Sequence, residues 1–202
     1  MLDYLLNNWL ELIGVFSGLL CVWLLIKENV LNFPVGLIYA LITVLVVARA
    51  NLFADVLLNL YYVLMNAYGW YYWLYGGSQH RQQGVLKPIK TVMRTNLNLF
   101  AFTMAGSILM GWAFSEFSTA DLAYADSFTT VASATAMWMT ARKYLYSWVA
   151  WFVIDAVQIA LYLFKGFNGD SGLFLYAGLY TVYLAMAVIG FRSWQKSMHE
   201  AS

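Results

Sequence analysis

Residues 138–155 read WMTARKYLYSWVAWFVID and residues 23–39 read WLLIKENVLNFPVGLIY, so the chain presents one arrangement twice. Each stretch runs from a Trp through a basic turn into an apolar segment. The likeness continues downstream, where GWYYW at 69–73 corresponds to GFRSW at 190–194. An internal repeat of this length indicates the architecture before any single residue does.

The composition excludes a water-soluble domain. Of the residues, 62% are hydrophobic and 10% are charged, whereas soluble domains carry roughly 25% charged residues. A helix that crosses a bilayer needs about 20 mostly apolar residues. The sequence therefore predicts an all-α integral membrane protein with seven transmembrane helices. The predicted spans lie near 9–27, 32–48, 52–75, 95–115, 122–141, 144–164 and 172–192.

The basic residues predict the orientation of these spans. If seven spans alternate sides, only Arg49 and Lys165 of the 11 Lys and Arg residues lie on the side of the N-terminus. The positive-inside rule then places the N-terminus outside and the C-terminus in the cytoplasm. The longest loop, about 76–94, is predicted to be a solvated cytoplasmic linker.

The repeat predicts a single membrane domain over 1–202, with repeat 1 at about 9–75, a connector helix at about 95–115 and repeat 2 at about 122–194. Each repeat has three spans, so the connector restores the orientation of the second repeat. The two repeats are then parallel, a 3+1+3 arrangement of a kind known among transporter repeats. In transporters built this way the binding site lies near the bilayer midplane at the repeat interface.

Asp155 is the most informative polar residue because it lies deep inside the sixth predicted span, opposite Tyr39 in our matching of the repeats. A lone carboxylate there is strongly disfavoured. It must be protonated, hydrogen-bonded, hydrated or matched by a cationic ligand. Acids at this depth mark functional sites by default, although a structural role in helix packing is an alternative.

Four predicted helices carry aromatic and hydrogen-bonding side chains at helical spacing. Such a surface suits a flat cationic ligand, through stacking and cation–π contact, and amide side chains would read its polar edges. The alternative for any one helix is ordinary interhelical packing. The predicted substrate-binding residues are Trp151, Asp155, Gln158, Tyr39, Asn59, Tyr62, Asn66, Tyr180 and Tyr183.

The sequence resembles the PnuC family of bacterial vitamin transporters over nearly its whole length. The resembling segments are NFPVGLIYA at 32–40, NAYGWYYW at 66–73, TARKYLYSWVAWFVID at 140–155 and IGFRSW at 189–194. The resemblance implies a fold of three spans, a connector and three more, similar to that of SWEET transporters. It also implies a multi-pass protein of the bacterial cytoplasmic (inner) membrane, a homotrimer, that mediates facilitated diffusion of a vitamin precursor. A kinase would then trap the substrate by phosphorylation. The typical substrate is nicotinamide riboside, and members for thiamine and riboflavin also exist.

Two positions depart from the nicotinamide riboside pattern of this family. The Trp-x-x-x-Asn element appears as Trp151-x-x-x-Asp155, and GLIN appears as GLIY, ending at Tyr39. An ionised Asp only accepts hydrogen bonds, whereas Asn also donates them. The nicotinamide amide needs both, while the aminopyrimidine of thiamine offers an NH₂ donor and its thiazolium a fixed charge. The substitutions therefore favour thiamine, with nicotinamide riboside as the alternative.

Other function classes fit the sequence poorly. The chain has one Cys, and both histidines, His80 and His199, lie outside the predicted spans. We find no metal-spaced cluster, phosphate loop or catalytic pair, so an enzyme, a cofactor and a nucleic-acid partner are not expected. A proton-coupled symporter that uses Asp155 stays open, because intramembrane acids also serve proton relays.

Overall fold

The computed structural model describes residues 9–49, 53–76, 86–117, 122–169 and 172–200. Apart from one bridge pair, the regular structure in these ranges is helical, which confirms the predicted all-α class. The helices there are α1 (Trp9–Ile26), α2 (Asn32–Arg49), α3 (Phe53–Tyr75), α4 (Met93–Phe117), α5 (Ala123–Ala141), α6 (Ser147–Phe167) and α7 (Leu173–His199). Residues 77–85 of the predicted linker lie outside the described residues.

Within the described ranges, four helices are long and apolar enough to cross a membrane, namely α2, α4, α6 and α7. Helix α1 has a shorter apolar stretch, Ile13–Ile26. Helices α3 and α5 correspond to predicted spans too, but α3 carries Asn and Tyr residues and α5 many Ser and Thr residues. These side chains lower the hydropathy of both helices.

The chain divides into two compact units, residues 1–87 and 88–202. In the first unit, α2 packs against both α1 and α3. In the second unit, α6 packs against both α5 and α7, while α4 packs against α5. The middle helix of each predicted triplet is therefore the one in contact with both of its neighbours.

The turns that lead into α2 and α6 have the same conformation. Glu28 has a backbone φ of 55° and Lys143 one of 58°, values that are uncommon for residues other than glycine. The amide of Glu28 donates to the Leu25 carbonyl, and that of Lys143 to the Thr140 carbonyl. The backbone hydrogen bonds on either side of this turn also recur 115 residues later. The amide of residue 27 donates to the carbonyl of residue 23 as that of 142 does to 138, and the amide of residue 33 donates to the carbonyl of residue 30 as that of 148 does to 145. The sequence repeat is thus also a repeat of local structure.

A matched aromatic contact joins the second and third helices of each triplet. Phe33 meets Trp73 edge to face, with ring centroids 4.9 Å apart, and Trp148 meets Trp194 in the same way at 5.4 Å. A glycine one turn before each C-terminal Trp leaves room for the N-terminal ring, because a Cβ atom there would clash with it. Edge-to-face pairs of this kind contribute about 0.5–1.5 kcal/mol beyond their burial.

The second unit has a contact at its turn that shifts the start of α6. The amide of Ile89 donates to the Lys143 carbonyl at 3.1 Å, and the amide of Leu145 donates to the Ile89 carbonyl at 3.0 Å. This bridge holds residues 143–145 in a turn, so α6 begins at Ser147 and not at the predicted residue 144. At its other end, α7 continues past the predicted residue 192 to His199.

Candidate functional site

The predicted residues of α6 lie on one helix face, and Trp151 is the best anchored of them. Its indole Nε1 donates to the Thr140 hydroxyl oxygen at 3.0 Å, and that hydroxyl donates to the Ala136 carbonyl at 2.9 Å. The ring also packs against the buried cluster of Ala132, Ala136 and Ile154. A buried indole N–H usually finds an acceptor, so the hydrogen bond with α5 fixes the ring orientation.

Thr140 is not among the site residues that the sequence predicts. A signal existed, since an indole within a membrane span needs an acceptor. Thr140 is 3% exposed and lies in the last turn of α5, which places its hydroxyl between its own helix and α6.

Asp155 is one turn further along the same face and is 5% exposed. Among the described residues, no hydrogen bond or ion pair reaches its carboxyl group. The ion pairs in that part of the chain lie elsewhere, Lys165 with Asp126 and Lys196 with Glu200. Asp155 is therefore a buried residue whose carboxyl group has no charged or hydrogen-bonding partner among the described residues.

Tyrosines of α6 and α7 form a cluster beyond Asp155. The ring of Tyr162 lies 5.6 Å from Tyr176 and 5.4 Å from Tyr180, with interplanar angles of 28° and 34°. Tyr180 in turn meets Tyr183 edge to face at 5.9 Å. At a rise of 1.5 Å per residue, Tyr162 is about 10 Å from Asp155 along the helix axis.

The two ends of this face contact different helices, and Asp155 lies between the two contact points along α6. Trp151 is bonded to α5 and Tyr162 stacks on α7. Asp155 and Gln158 lie between these two residues on the same face of α6. In the second unit, Trp151, Asp155 and Gln158 therefore share one face of α6. Tyr180 and Tyr183 lie together on α7, where Tyr180 contacts Tyr162 of that face.

The amides predicted in the first unit are both buried on α3. Asn59 is 7% exposed and Asn66 is 5% exposed. The side-chain Nδ2 of Asn66 donates to the Tyr62 carbonyl at 2.8 Å. Its Oδ1 lies against Gly36 of α2, where a Cβ atom would collide with it. Asn66 is therefore held at the α2–α3 contact of the first unit.

The predicted correspondence between Tyr39 and Asp155 is wrong by one residue. The shared turn aligns Phe33 with Trp148, and neither α2 nor α6 is interrupted after that point. Counting along the two helices then pairs Ala40 with Asp155. Burial agrees, because Ala40 is 1% exposed and Asp155 is 5% exposed. The sequence comparison allowed a one-residue gap that a continuous helix does not.

Tyr39 points toward α1. A Cβ atom built on Gly14 of α1 would lie 3.7 Å from the Tyr39 ring, so this ring is at the α1–α2 contact. Asn66, in contrast, lies at the α2–α3 contact.

The predicted site residues of the third helices, α3 and α7, correspond at a constant sequence offset. The paired glycines, Gly69 and Gly190, differ by 121 positions (190 against 69), as do the paired tryptophans that follow them. The same offset pairs Tyr62 with Tyr183. The corresponding positions further align Asn59 with Tyr180 and Asn66 with Ala187.

These side chains suit recognition of a flat ligand better than bond-making chemistry. The second unit presents a fixed indole, a carboxyl group, an amide and a set of phenol rings. Among the described residues, no group of three or more His, Cys, Asp or Glu could hold a metal ion. An aromatic surface beside an acid attracts a cation through its ring faces and its charge.

Comparison with known proteins identifies a family of transporters that this chain resembles. The family described as nicotinamide mononucleotide transporter matches residues 8–196. The nicotinamide riboside transporter PnuC of Escherichia coli (strain K12) is 25% identical over 215 residues, covering 96% of this chain and 87% of that protein. The protein of that name from Neisseria mucosa is 27% identical over 195 residues, covering 94% of this chain and 73% of the relative.

A solved structure shares the fold. The crystal structure of the vitamin B3 transporter PnuC superposes with a TM-score of 0.76 at 24% identity, covering 99% of this chain and 86% of that one.

Proposed function

The chain belongs to the nicotinamide mononucleotide transporter family, the PnuC transporters, and we propose that it carries thiamine into the cytoplasm by facilitated diffusion. Members of this family are membrane transporters and not enzymes. In the proposed cycle the substrate moves down its gradient without direct use of ATP. Phosphorylation by a cytoplasmic kinase then traps it.

The observation that carries the choice of substrate is the isolation of Asp155. Asp155 is 5% exposed, and its carboxyl group has no cationic or hydrogen-bonding partner among the described residues. Burying such a group is unfavourable unless a partner arrives. A cationic ligand with an NH₂ donor supplies both a charge and a hydrogen bond. Thiamine carries a thiazolium charge and an aminopyrimidine NH₂ group.

Each member of the second unit has a proposed role. Trp151, whose orientation is fixed by Thr140, stacks on a ring of the substrate. Asp155 accepts from the exocyclic NH₂ group, and Gln158 reads a neighbouring polar edge. Tyr180 and Tyr183 supply ring faces for the cation. In the first unit, the proposed substrate-contacting residues are Tyr39, Asn59, Tyr62 and Asn66.

Nicotinamide riboside is the second candidate because the curated relatives carry its name. It is also cationic, so charge alone does not separate the two ligands. They differ at the polar edge, where a carboxamide needs a donor as well as an acceptor and ionised Asp155 offers only acceptors. A protonated Asp155 would satisfy the carboxamide. A proton-coupled symporter is the third candidate for the same reason.

We further propose that the seven helices form two parallel triplets joined by α4, the 3+1+3 arrangement, in one membrane domain. The chain would lie in the bacterial cytoplasmic (inner) membrane as a homotrimer, with its N-terminus outside and its C-terminus in the cytoplasm. The uneven distribution of Lys and Arg supports this orientation. Tagging each terminus with a reporter that is active on only one side tests it.

A competition titration tests the substrate. The purified protein is titrated with thiamine and with nicotinamide riboside in the calorimeter, each alone and then in the presence of the other. The thiamine proposal predicts that thiamine has the lower Kd and displaces nicotinamide riboside. The reverse ranking contradicts it and establishes the second candidate.

Uptake into liposomes separates the transport mechanisms. Facilitated diffusion predicts that thiamine equilibrates across the membrane and that an imposed pH gradient leaves its final level unchanged. Accumulation above equilibrium when the outside is acidic would establish proton coupling. Liposomes without protein and liposomes with the Asp155→Asn variant serve as controls.

A further inference from the structure

An apolar groove lies on the second unit at a different face from the candidate site. It runs between the first turns of α6 and the last apolar turns of α7. Its lining residues are Trp148, Val149, Phe152, Val188, Phe191 and Arg192, with Ala187 beside them. At about 100° per residue, the α6 residues of the groove are centred roughly 100° around the helix from the Trp151–Asp155 face.

Arg192 is the charged residue of this lining. It is exposed, and among the described residues no ion pair is formed by it. It also marks a change in the composition of α7. Before it the helix reads LAMAVIGF at 184–191, and after it SWQKSMHE at 193–200. Basic side chains at such a boundary lie at the depth of the lipid headgroups.

We propose that this groove binds an anionic phospholipid, with an acyl chain along Phe152 and Val188 and the phosphate on Arg192. The apolar walls match a hydrocarbon chain, and a guanidinium group binds phosphate oxygens in a bidentate fashion. The charge complementarity selects an anionic headgroup over a zwitterionic one, whose own cation competes for the phosphate. This proposal requires only that the chain lies in a membrane, and it does not depend on the transported substrate.

The expected selectivity is modest. One basic residue near an anionic surface contributes about fivefold in affinity, equivalent to about 1 kcal/mol. Native mass spectrometry of the purified protein with equal amounts of phosphatidylglycerol and phosphatidylcholine measures it directly. The wild-type protein should retain phosphatidylglycerol about fivefold more than phosphatidylcholine.

The matched variants are Arg192→Gln and Lys196→Gln. Lys196 is one turn further along α7, is exposed and pairs with Glu200 at 3.7 Å, and it does not line the groove. Arg192→Gln should abolish the preference, and Lys196→Gln should preserve it. An equal loss in both variants, or no loss in Arg192→Gln, would overturn the proposal, because the preference would then be general to the surface.

Filling the groove provides a second test. Val188→Trp occupies the acyl-chain space and should reduce the retention of both lipids, with the melting temperature in detergent reporting that the protein stays folded. A change in the number of chains per particle without a change in bound lipid would overturn the proposal in favour of a second copy. Displacement of phosphatidylglycerol by an equal concentration of inorganic phosphate would also overturn it, since the acyl chain would then contribute nothing.

Discussion

Asp155→Asn is the most informative single substitution because it should change ligand binding and ligand-free stability in opposite directions. Asp155 is 5% exposed, and its carboxyl group has no partner among the described residues. Asn has nearly the same shape but no charge. The ligand-free variant should therefore be at least as stable as the wild type, since it buries a less costly group.

The loss of affinity follows from the interaction that disappears. A hydrogen bond that involves a charged group contributes about 1.5–3 kcal/mol. At about 1.4 kcal/mol per factor of ten, the Kd for thiamine should rise about 10- to 150-fold. The bare Coulomb energy of a pair at about 4 Å and an effective dielectric constant of 20 is about 4 kcal/mol, which bounds the effect from above.

The assay combines calorimetric titration with a thermal melt in detergent. Asp126→Asn is the matched control, because Asp126 forms a half-exposed ion pair with Lys165 at 3.5 Å. Such surface pairs contribute about 0–1 kcal/mol, so the control should alter stability slightly and affinity not at all. A Kd for thiamine within twofold of the wild-type value in Asp155→Asn would refute the assigned role and leave Asp155 as a packing residue.

Two further predictions concern α5 and α7. Thr140→Val removes the acceptor of the Trp151 indole N–H, so it should lower the free energy of unfolding by about 1–3 kcal/mol and weaken thiamine affinity. The control is Thr130→Val, whose hydroxyl bonds within its own helix and whose loss should change neither quantity. Equal effects of the two variants in melts and titrations would contradict the anchoring role of Thr140. Gly190→Ala should destabilise the protein because the added Cβ meets the Trp148 ring. A Cβ added at Gly178 meets no atom within 4 Å, so Gly178→Ala should raise stability by up to about 1 kcal/mol. A stabilised Gly190→Ala variant in thermal melts would rule out the tight contact.

The helices were predictable from hydropathy, while their ends were not. The predicted start of α6 at residue 144 is three residues early because Ile89 pairs with the turn through its backbone. That contact joins residues more than fifty positions apart and leaves no pattern in either segment. The predicted end of α7 at residue 192 follows the apolar stretch, but the helix continues through polar residues to His199.

The candidate site was predictable as a set of helix faces and less so as a set of contacts. Spacing along α6 placed Trp151 and Asp155 on one face, and burial of Asp155 followed from its depth. The side chain that fixes the Trp151 ring, Thr140, comes from another helix and was not identified. Pairing Tyr39 with Asp155 requires a one-residue gap between the two repeats. A sequence comparison accepts such a gap, but the uninterrupted helices α2 and α6 leave no place for it.

The corrected pairing of Ala40 with Asp155 has a consequence for charge movement. At this position of the repeat the two triplets carry one acid, Asp155, opposite Ala40. Under the proposed binding mode, an ionised Asp155 would balance one positive charge of a bound substrate. Transport of a monovalent cation with an ionised Asp155 that stays in place would be electrogenic. Substrate uptake would then respond to the membrane voltage, which favours cation accumulation in a cell whose interior is negative.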